Sequence, residues 1–450
     1  IKLRHIIFMQ RIETHIIKSN KPIYKELVEM CQHSKNLYNY TLYIYRQAFT
    51  GKHENIEEYK DLIRNERFIS SYDIVNKMKE LNQIDFRSVR SNVNQQVVYQ
   101  VDTIWKAWFK ALKSYQKTPS KFKGKPKMPK YLDKNGLNIL IFTTAAAKLK
   151  NGKINLTKHL KLPITTKIEK FQQVRIVPRN GYIKVEIVHN KEIKDENLNS
   201  EKAIGIDVGI NNLCTITSND GKICNIINGR PLKSINQFYN KSLARIKSIN
   251  DKKNIKTSKR IKRLNFKRQC KIDDYLHKAS RKVVEIMSRN KIKYCFIGHN
   301  DGWKQECNMG RFNNQKFIQI PFNRLIEMIK YKAEEIGGVV LTINESHTSK
   351  CSFLDSEEVK HHDEYVGCRK SRGLFKSKLK DKVVNADVNG SLNILKRGIG
   401  FEFAFNKNFY NPQTIQMQPL SLSNKINGRG YSGIASSKKL LLKKNSIRNN

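Results

Sequence analysis

No C-x-x-C pair occurs anywhere in the chain. Its eight cysteines stand singly at 31, 214, 224, 270, 295, 307, 351 and 368, which excludes a disulfide framework and a regular zinc ribbon and points to a reducing compartment. Long apolar runs are missing too: stretches such as "LNILIF" at 137–142 are far too short to span a bilayer. Neither a signal-peptide pattern nor a lipidation signal is present, so a soluble, intracellular protein is expected, although a first residue of Ile leaves any upstream signal unseen. Acid is scarce as well. Asp and Glu number 39 against 86 Lys and Arg, a formal net charge of +47, and such an excess calls for a polyanionic partner. The charge is spread along the chain, which favours an extended nucleic acid over one phosphorylated metabolite or a membrane surface. A length of 450 residues leaves room for two or three domains with real cores.

The hydrophobic pattern changes period along the chain. "RHIIFMQRIETHII" suits a strand or hairpin, and from about residue 22 the pattern turns helical. Val97, Val101, Ile104, Trp105, Trp108 and Leu112 form a helical stripe, expected to be the core of a bundle. Tyr38, Tyr40, Tyr43 and Tyr45 fit either that core or a surface on which bases stack. "KTPSKFKGKPKMPK" at 117–130 holds six lysines and three prolines and cannot be helix; it reads as a solvated linker or as an extended loop following a phosphate backbone. Short strand-like runs return over 137–190, so the helical segment interrupts a small β domain.

From 201 the pattern is α/β: strands at "KAIGIDV", "LCTIT", "KYCFIG" and "VVLTIN", with helices at "NRLIEMIKYKAEEIGG" and from 389 onward. Between them, residues 245–271 carry twelve Lys or Arg against the single acid Asp251, more than solubility requires, and a backbone-binding surface is expected there. Within the first strand stands "IGIDVGINN", 204–212, whose Asp207 is costly to bury unless something binds it. An isolated D-x-G is usually a turn, but "VVNADVNGSLNILKR" at 383–397 brings a second carboxylate, Asp387, beside small residues that let a helix pack closely.

Together these two motifs resemble the first and third RuvC motifs of the TnpB family of nucleases and their eukaryotic and viral relatives, the Fanzor proteins. The likeness runs through "NNQKFIQIPFNRLIEMIKYKAEEIGG" and "ESHTSKCSFLD", over roughly 201–400. It implies an α+β multidomain protein: an RNase H-like (RuvC) nuclease domain over 201–400, and a β-barrel wedge domain over 1–21 and 119–200 interrupted by a helical recognition domain over 22–118. A lid or zinc-finger insert at about 346–384 and a C-terminal tail over 401–450 complete the expected layout. The resemblance further implies an endonuclease guided by a noncoding RNA that pairs with double-stranded target DNA, monomeric within a ribonucleoprotein. It would cut by hydrolysis with two Mg²⁺ ions held between carboxylates. Localisation would be nuclear for a eukaryotic or viral source and cytoplasmic otherwise. Lys121, Lys123, Lys125 and Lys127, with Lys259, Arg260, Lys262, Arg263, Lys267 and Arg268, are the expected nucleic-acid contacts.

Two departures stand out. The strand of the second motif ends at Gly298 and His299 where most of the family has a catalytic Glu. The third carboxylate is therefore expected at Glu345, which the neighbouring strand would deliver; part of the family, the Fanzor proteins included, resembles this rearrangement. Glu285 and Glu335 fall on expected helices and Glu306 in a polar loop. The finger is also degraded, with Leu354 where C-x-x-C would be completed, so zinc is not expected, although Asp355, His361 and His362 stand near Cys351 and Cys368. The alternatives are a catalytically silent RNA-guided DNA-binding protein and a DDE-type transposase.

Overall fold

The computed structural model describes residues 8–156, 160–300, 310, 314–315, 318–371 and 373–421. It divides into two compact units whose main parts are Gln10–Lys191 and Glu192–Ile426. In the first, β1 (Phe8–Lys18) leads to α1 (Ile23–Thr50), α2 (Ser71–Glu80), α3 (Ile84–Arg87) and α4 (Ser91–Lys117). The strands that follow are β2 (Leu140–Thr143), β3 (Lys148–Lys150), β4 (Lys153–Asn155), β5 (Lys161–Thr165), β6 (Gln173–Arg179) and β7 (Tyr182–Glu192). One sheet runs β1-β7-β6-β2, so the helices are inserted between strands of a single sheet. A second, β3-β4-β5, is paired separately; among the described residues strand pairing does not join the two into a closed barrel.

The helical stripe is core. Val97, Val101 and Trp105 are buried with Leu37, Tyr38, Leu42 and Tyr45, which removes Tyr38 and Tyr45 as base-stacking surface. The proline-rich segment after α4 is a strap held to these helices and not a free linker. Trp108 Nε1 donates to the Pro126 carbonyl at 3.2 Å, and Asn39 exchanges hydrogen bonds of 3.0 and 2.8 Å with the backbone of Leu132. Along it Phe122, Pro126 and Met128 are half-buried while Lys121, Lys123, Lys125 and Lys127 are exposed, as the two-residue period of an extended chain requires.

The second unit is built on β8 (Asn199–Asp207), β9 (Asn212–Ser218), β10 (Cys224–Asn228), α5 (Arg230–Asp251), α6 (Lys259–Arg289), β11 (Ile292–Gly298), α7 (Phe322–Glu334) and β12 (Val339–Ile343). A small sheet of β13 (Gly367–Ser371), β14 (Leu374–Ser377) and β15 (Val383–Asn385) precedes α8 (Ala386–Ile399) and β16 (Gln413–Ile415). The large sheet has the order β12-β11-β8-β9-β10-β16: β8, β9 and β10 are antiparallel, whereas β11 runs parallel to β8 and β12 parallel to β11.

Alternation along β8 decides what each residue meets. Ile204, Ile206 and Val208 enter a core shared with residues of α6 and α7, while Ala203 packs with Ile394 and Leu395 of α8. Gly205 and Asp207 share the face of Ala203. A methyl group on Gly205 would run into the Ser391 carbonyl and Leu395, so the glycine lets α8 lie directly on the strand. Ser391 Oγ completes the contact, donating to Gly205 O at 2.9 Å and pairing with Thr217 Oγ1 at 2.9 Å. α8 begins three residues earlier than the expected 389, because the Asn385 side chain caps it by accepting from the amides of Asp387 and Val388 at 2.9 and 3.3 Å. Asp387 thus belongs to the first helical turn.

Candidate active site

Three acids converge where β8, α8 and the end of β12 meet. Asp207 is the last residue of β8, Asp387 sits in the first turn of α8, and Glu345 follows two residues beyond β12. Gly298 closes β11 opposite Ile343. A side chain on Gly298 would meet Ile394 Cδ1, and its Cβ would lie 3.3 Å from Glu345 Cβ. The position that ends β11 is therefore filled by the neighbouring helix, and Glu345 emerges beside it. Its backbone amide is fixed by Asn300 Oδ1 at 3.0 Å. Of the competing acids, Glu285 on α6 and Glu335 after α7 line a cavity with Arg281 and Lys332 that includes none of the three, and Glu306 lies outside the described residues.

Electrostatics record the convergence. The Asp207 carboxyl is pushed up from 3.8 to about 8, first by burial, then by the charges of Asp387 and Glu345, against smaller opposing effects of Arg369 and the Val208 amide. Some of its surface remains open to solvent, although protein atoms crowd it from every side. The Glu345 carboxyl is also raised, by burial. A Cβ on Gly390 would lie 3.0 Å from Asp207 Oδ2, so the small residue lets that carboxylate approach α8. Asn212 Nδ2 donates to Asp387 Oδ2 at 2.7 Å, and the half-exposed Arg369 guanidinium of β13 stands 3.7 Å from Asp387 Oδ1. Sequence reasoning did not single out either residue. Asn212 sat within the quoted "GINN", whereas nothing in the pattern around Arg369 pointed to the site.

Like charges crowded into a low-dielectric recess, all with hard oxygen donors, suit a bound divalent cation. Their ligand oxygens do not all lie within 4.8 Å of one another, whereas the Cys351 sulfur, a Glu357 carboxylate oxygen and a His362 ring nitrogen do. That second cluster occupies the degraded finger, and Glu357 in it was not among the sequence candidates. Its groups are already engaged: Glu357 accepts from the amides of Ser352 at 2.6 Å and Val366 at 3.1 Å, and His362 Nε2 lies 2.7 Å from the Glu358 carbonyl. The other candidates lie apart from this cluster. Asp355 accepts from Ser352 and Ser377, His361 packs edge-on against His347, and Cys368 is exposed. Leu354 is buried in an apolar cluster with Phe353, Phe375 and Leu392, which holds the insert by packing at the position of the missing cysteine.

Among the basic candidates, Lys259, Arg260 and Arg263 are exposed on α6, and Lys262 and Lys267 half-buried. Arg268 is engaged inside the protein: it donates to Asn236 Oδ1 at 2.8 Å and to the Gln319 carbonyl at 3.2 Å, and its guanidinium lies over the Tyr239 ring at 4.8 Å. No helix among the described residues is long and apolar enough to cross a membrane.

Comparison with known proteins matches residues 182–303 to the family described as OrfB_IS605, probable transposase, and residues 322–394 to the Cas12f1-like TNB domain. A TnpB-like protein of Acidianus two-tailed virus is 24% identical over 219 residues, covering 47% of this chain and 45% of that protein. The CRISPR-associated endodeoxyribonuclease Cas12f2 of a Micrarchaeota archaeon is 26% identical over 244 residues, 50% of this chain and 42% of that one. A TnpB-like protein of Methanocaldococcus jannaschii is 25% identical over 170 residues, 38% and 36% of the two chains. The matches thus span less than half the length of each relative. Among solved structures, a Cas12f1–sgRNA–target DNA complex aligns with TM-score 0.45 and 13% identity over 82% of this chain and 83% of that one. The mini-RNA-guided endonuclease CRISPR-Cas_phi3 aligns with TM-score 0.44 and 11% identity over 88% and 93%.

The raised carboxyls carry a stability consequence. A folded-state pKa of about 8 against 3.8 means that the folded chain holds the Asp207 proton more tightly than the unfolded one. The resulting stability is complete below about pH 4 and is lost as pH rises to about 8. Without divalent ions, the thermal midpoint is expected to fall across that window, and Asp207→Asn to flatten the fall. An identical slope in the variant would show that Asp207 does not bear this strain.

Proposed function

We propose that the chain is an RNA-guided DNA endonuclease with a RuvC-like site, in which Asp207, Glu345 and Asp387 hold two Mg²⁺ ions. The observation that carries this reading is the electrostatic coupling of three carboxylates from three separate segments, with Glu345 emerging beside the glycine that ends β11. The sheet order, three antiparallel strands extended by two parallel ones with a helix crossing at the acid-bearing strand, is what an RNase H-like domain would need. Similarity to TnpB-like proteins and to a Cas12f2 endodeoxyribonuclease over 38–50% of the chain supports it further. The glutamate rearrangement expected of Fanzor proteins belongs to this reading.

Bound divalent ions would supply an activated water and neutralise charge on the leaving oxygen. The chain's own residues do the holding. β8 and the capped start of α8 keep Asp207 and Asp387 rigid, and Asn212 fixes Asp387 Oδ2. Arg369, with more than half its side chain exposed, is available to a phosphate oxygen at the same place. Base pairing with the guide carries sequence information, and the basic strap and α6 surface supply the backbone contacts.

The test is expression with the native flanking locus, sequencing of the co-purifying RNA, and incubation with matching DNA in Mg²⁺. Cleavage is expected, and Asp207→Ala, Asp387→Ala and Glu345→Gln should each lower it by at least about a hundredfold while RNA and DNA binding persist. Binding without cleavage by the unaltered protein would favour the silent alternative. Near-normal cutting by Glu345→Gln alone, with loss in Glu306→Gln, would move the third ligand elsewhere.

Charge reversal at Lys121, Lys123, Lys125 and Lys127 should weaken RNA binding and flatten its salt dependence without lowering the thermal midpoint, because all four are exposed on the strap. Unchanged affinity and salt slope would leave the strap with a purely structural role.

A further inference from the structure

One face of α8 carries Asn389, Asn393 and Arg397 at four-residue spacing, and every one of them reaches the backbone of the segment that begins at Asn344. Asn389 and Asn393 are fully buried, which for an amide side chain is costly unless its hydrogen bonds are made inside the protein. Asn389 pairs with the turn as a second peptide group would: its Oδ1 accepts from the Phe353 amide at 3.0 Å and its Nδ2 donates to the Cys351 carbonyl at 2.8 Å. One turn on, Asn393 Nδ2 donates to the carbonyls of Thr348 at 2.9 Å and Cys351 at 2.8 Å. Thr348 in turn binds the Glu345 carbonyl through its amide at 3.2 Å and its hydroxyl at 2.8 Å. At the end of the row Arg397 donates to the carbonyls of Asn344 at 2.6 Å and Ser346 at 3.1 Å, the residues on either side of Glu345.

We propose that Asn389, Asn393 and Arg397 are positioning residues that lock the Glu345 segment onto α8, so that Glu345 and Asp387 are presented by one rigid body. The proposal rests on the reading of Glu345 as a metal ligand. The logic is geometric. A glutamate two residues beyond its strand lacks the sheet's own restraint, and a two-ion site tolerates little displacement of its ligands. The ladder supplies that restraint from the helix that carries Asp387. It also gives the degraded finger a role without a metal: the turn Thr348–Phe353, at the root of the insert, is the part that α8 grips. Groups that orient a metal's ligands typically change its affinity by about ten- to a hundredfold, and here those groups are a row of side chains on a single helix that hold the backbone around Glu345.

The test uses the full chain and Mn²⁺ as probe, with affinity read by calorimetry and amide exchange followed over 344–353. Asn393→Ala and Arg397→Met should both lose amide protection there and bind Mn²⁺ roughly tenfold more weakly. Arg397 lies at the end of α8, so its variant remains informative where the buried one fails to fold. Leu395→Ala, which empties core space on the same helix where it packs on Ala203 of β8 and Phe296 of β11 rather than on the segment, should leave Mn²⁺ affinity within about twofold once compared below its own melting range. Lost protection with unchanged Mn²⁺ affinity in Asn393→Ala and Arg397→Met would overturn the proposal, as would an equal loss in Leu395→Ala. Glu345→Gln separates the two claims. If it weakens Mn²⁺ binding while the ladder variants do not, positioning alone fails; if it leaves affinity intact while Asp207→Asn lowers it, the reading of Glu345 as a ligand fails.

Discussion

Holding like charges together is the constraint on which the second unit turns. Asp207, Asp387 and Glu345 repel one another in a recess from which much of the water is excluded, and the Asp207 carboxyl records this by rising to about 8. Nothing in a fold gains from that crowding by itself. The surroundings are arranged to sustain it: a strand end, a capped helix start and a gripped turn each contribute one acid, and Asn212 and Arg369 partly satisfy Asp387. The glycines at 205 and 390 are the steric condition, since α8 could not approach β8 over larger side chains.

The same closeness bears on where Glu345 stands. With Ile394 Cδ1 beside Gly298, a side chain at the end of β11 would have to displace it, and Glu345 comes alongside from the adjacent strand. Parallel strands lie about 5 Å apart, a gap that a glutamate spans. Because the residue then sits past the sheet's hydrogen bonding, its segment is tied down by α8. The degraded finger fits this picture: buried Leu354, the carboxylates of Asp355 and Glu357, and the α8 side chains hold by packing and hydrogen bonds a turn at which a zinc ion was not expected.

Much of this was legible in the sequence, because period and small residues speak directly of packing. The alternation around Asp207 and the N-A-D-V-N-G-S run signalled a strand and a close helix, and the stripe through Val97, Val101 and Trp105 signalled a helical core. Asn385 as a cap was not read, so α8 was expected to begin too late. Other features depend on what meets in space. The strap looks like a linker until Trp108 and Asn39 are seen to bind its carbonyls, and Arg268 looks like one more surface cation until Asn236 and Gln319 are found beside it. Arg369 reaches Asp387 only because the β13–β14 hairpin folds back, and the asparagine ladder appears in sequence merely as polar residues in a helix.

The central claim is that the three carboxylates form a metal centre, and locating bound ions tests it most directly. Crystals of the chain soaked in Mn²⁺ and measured for anomalous scattering should show two peaks a few ångströms apart among Asp207, Glu345 and Asp387, as two-ion sites require. A peak confined to Cys351, Glu357 and His362, or none beside Glu345, would contradict the account.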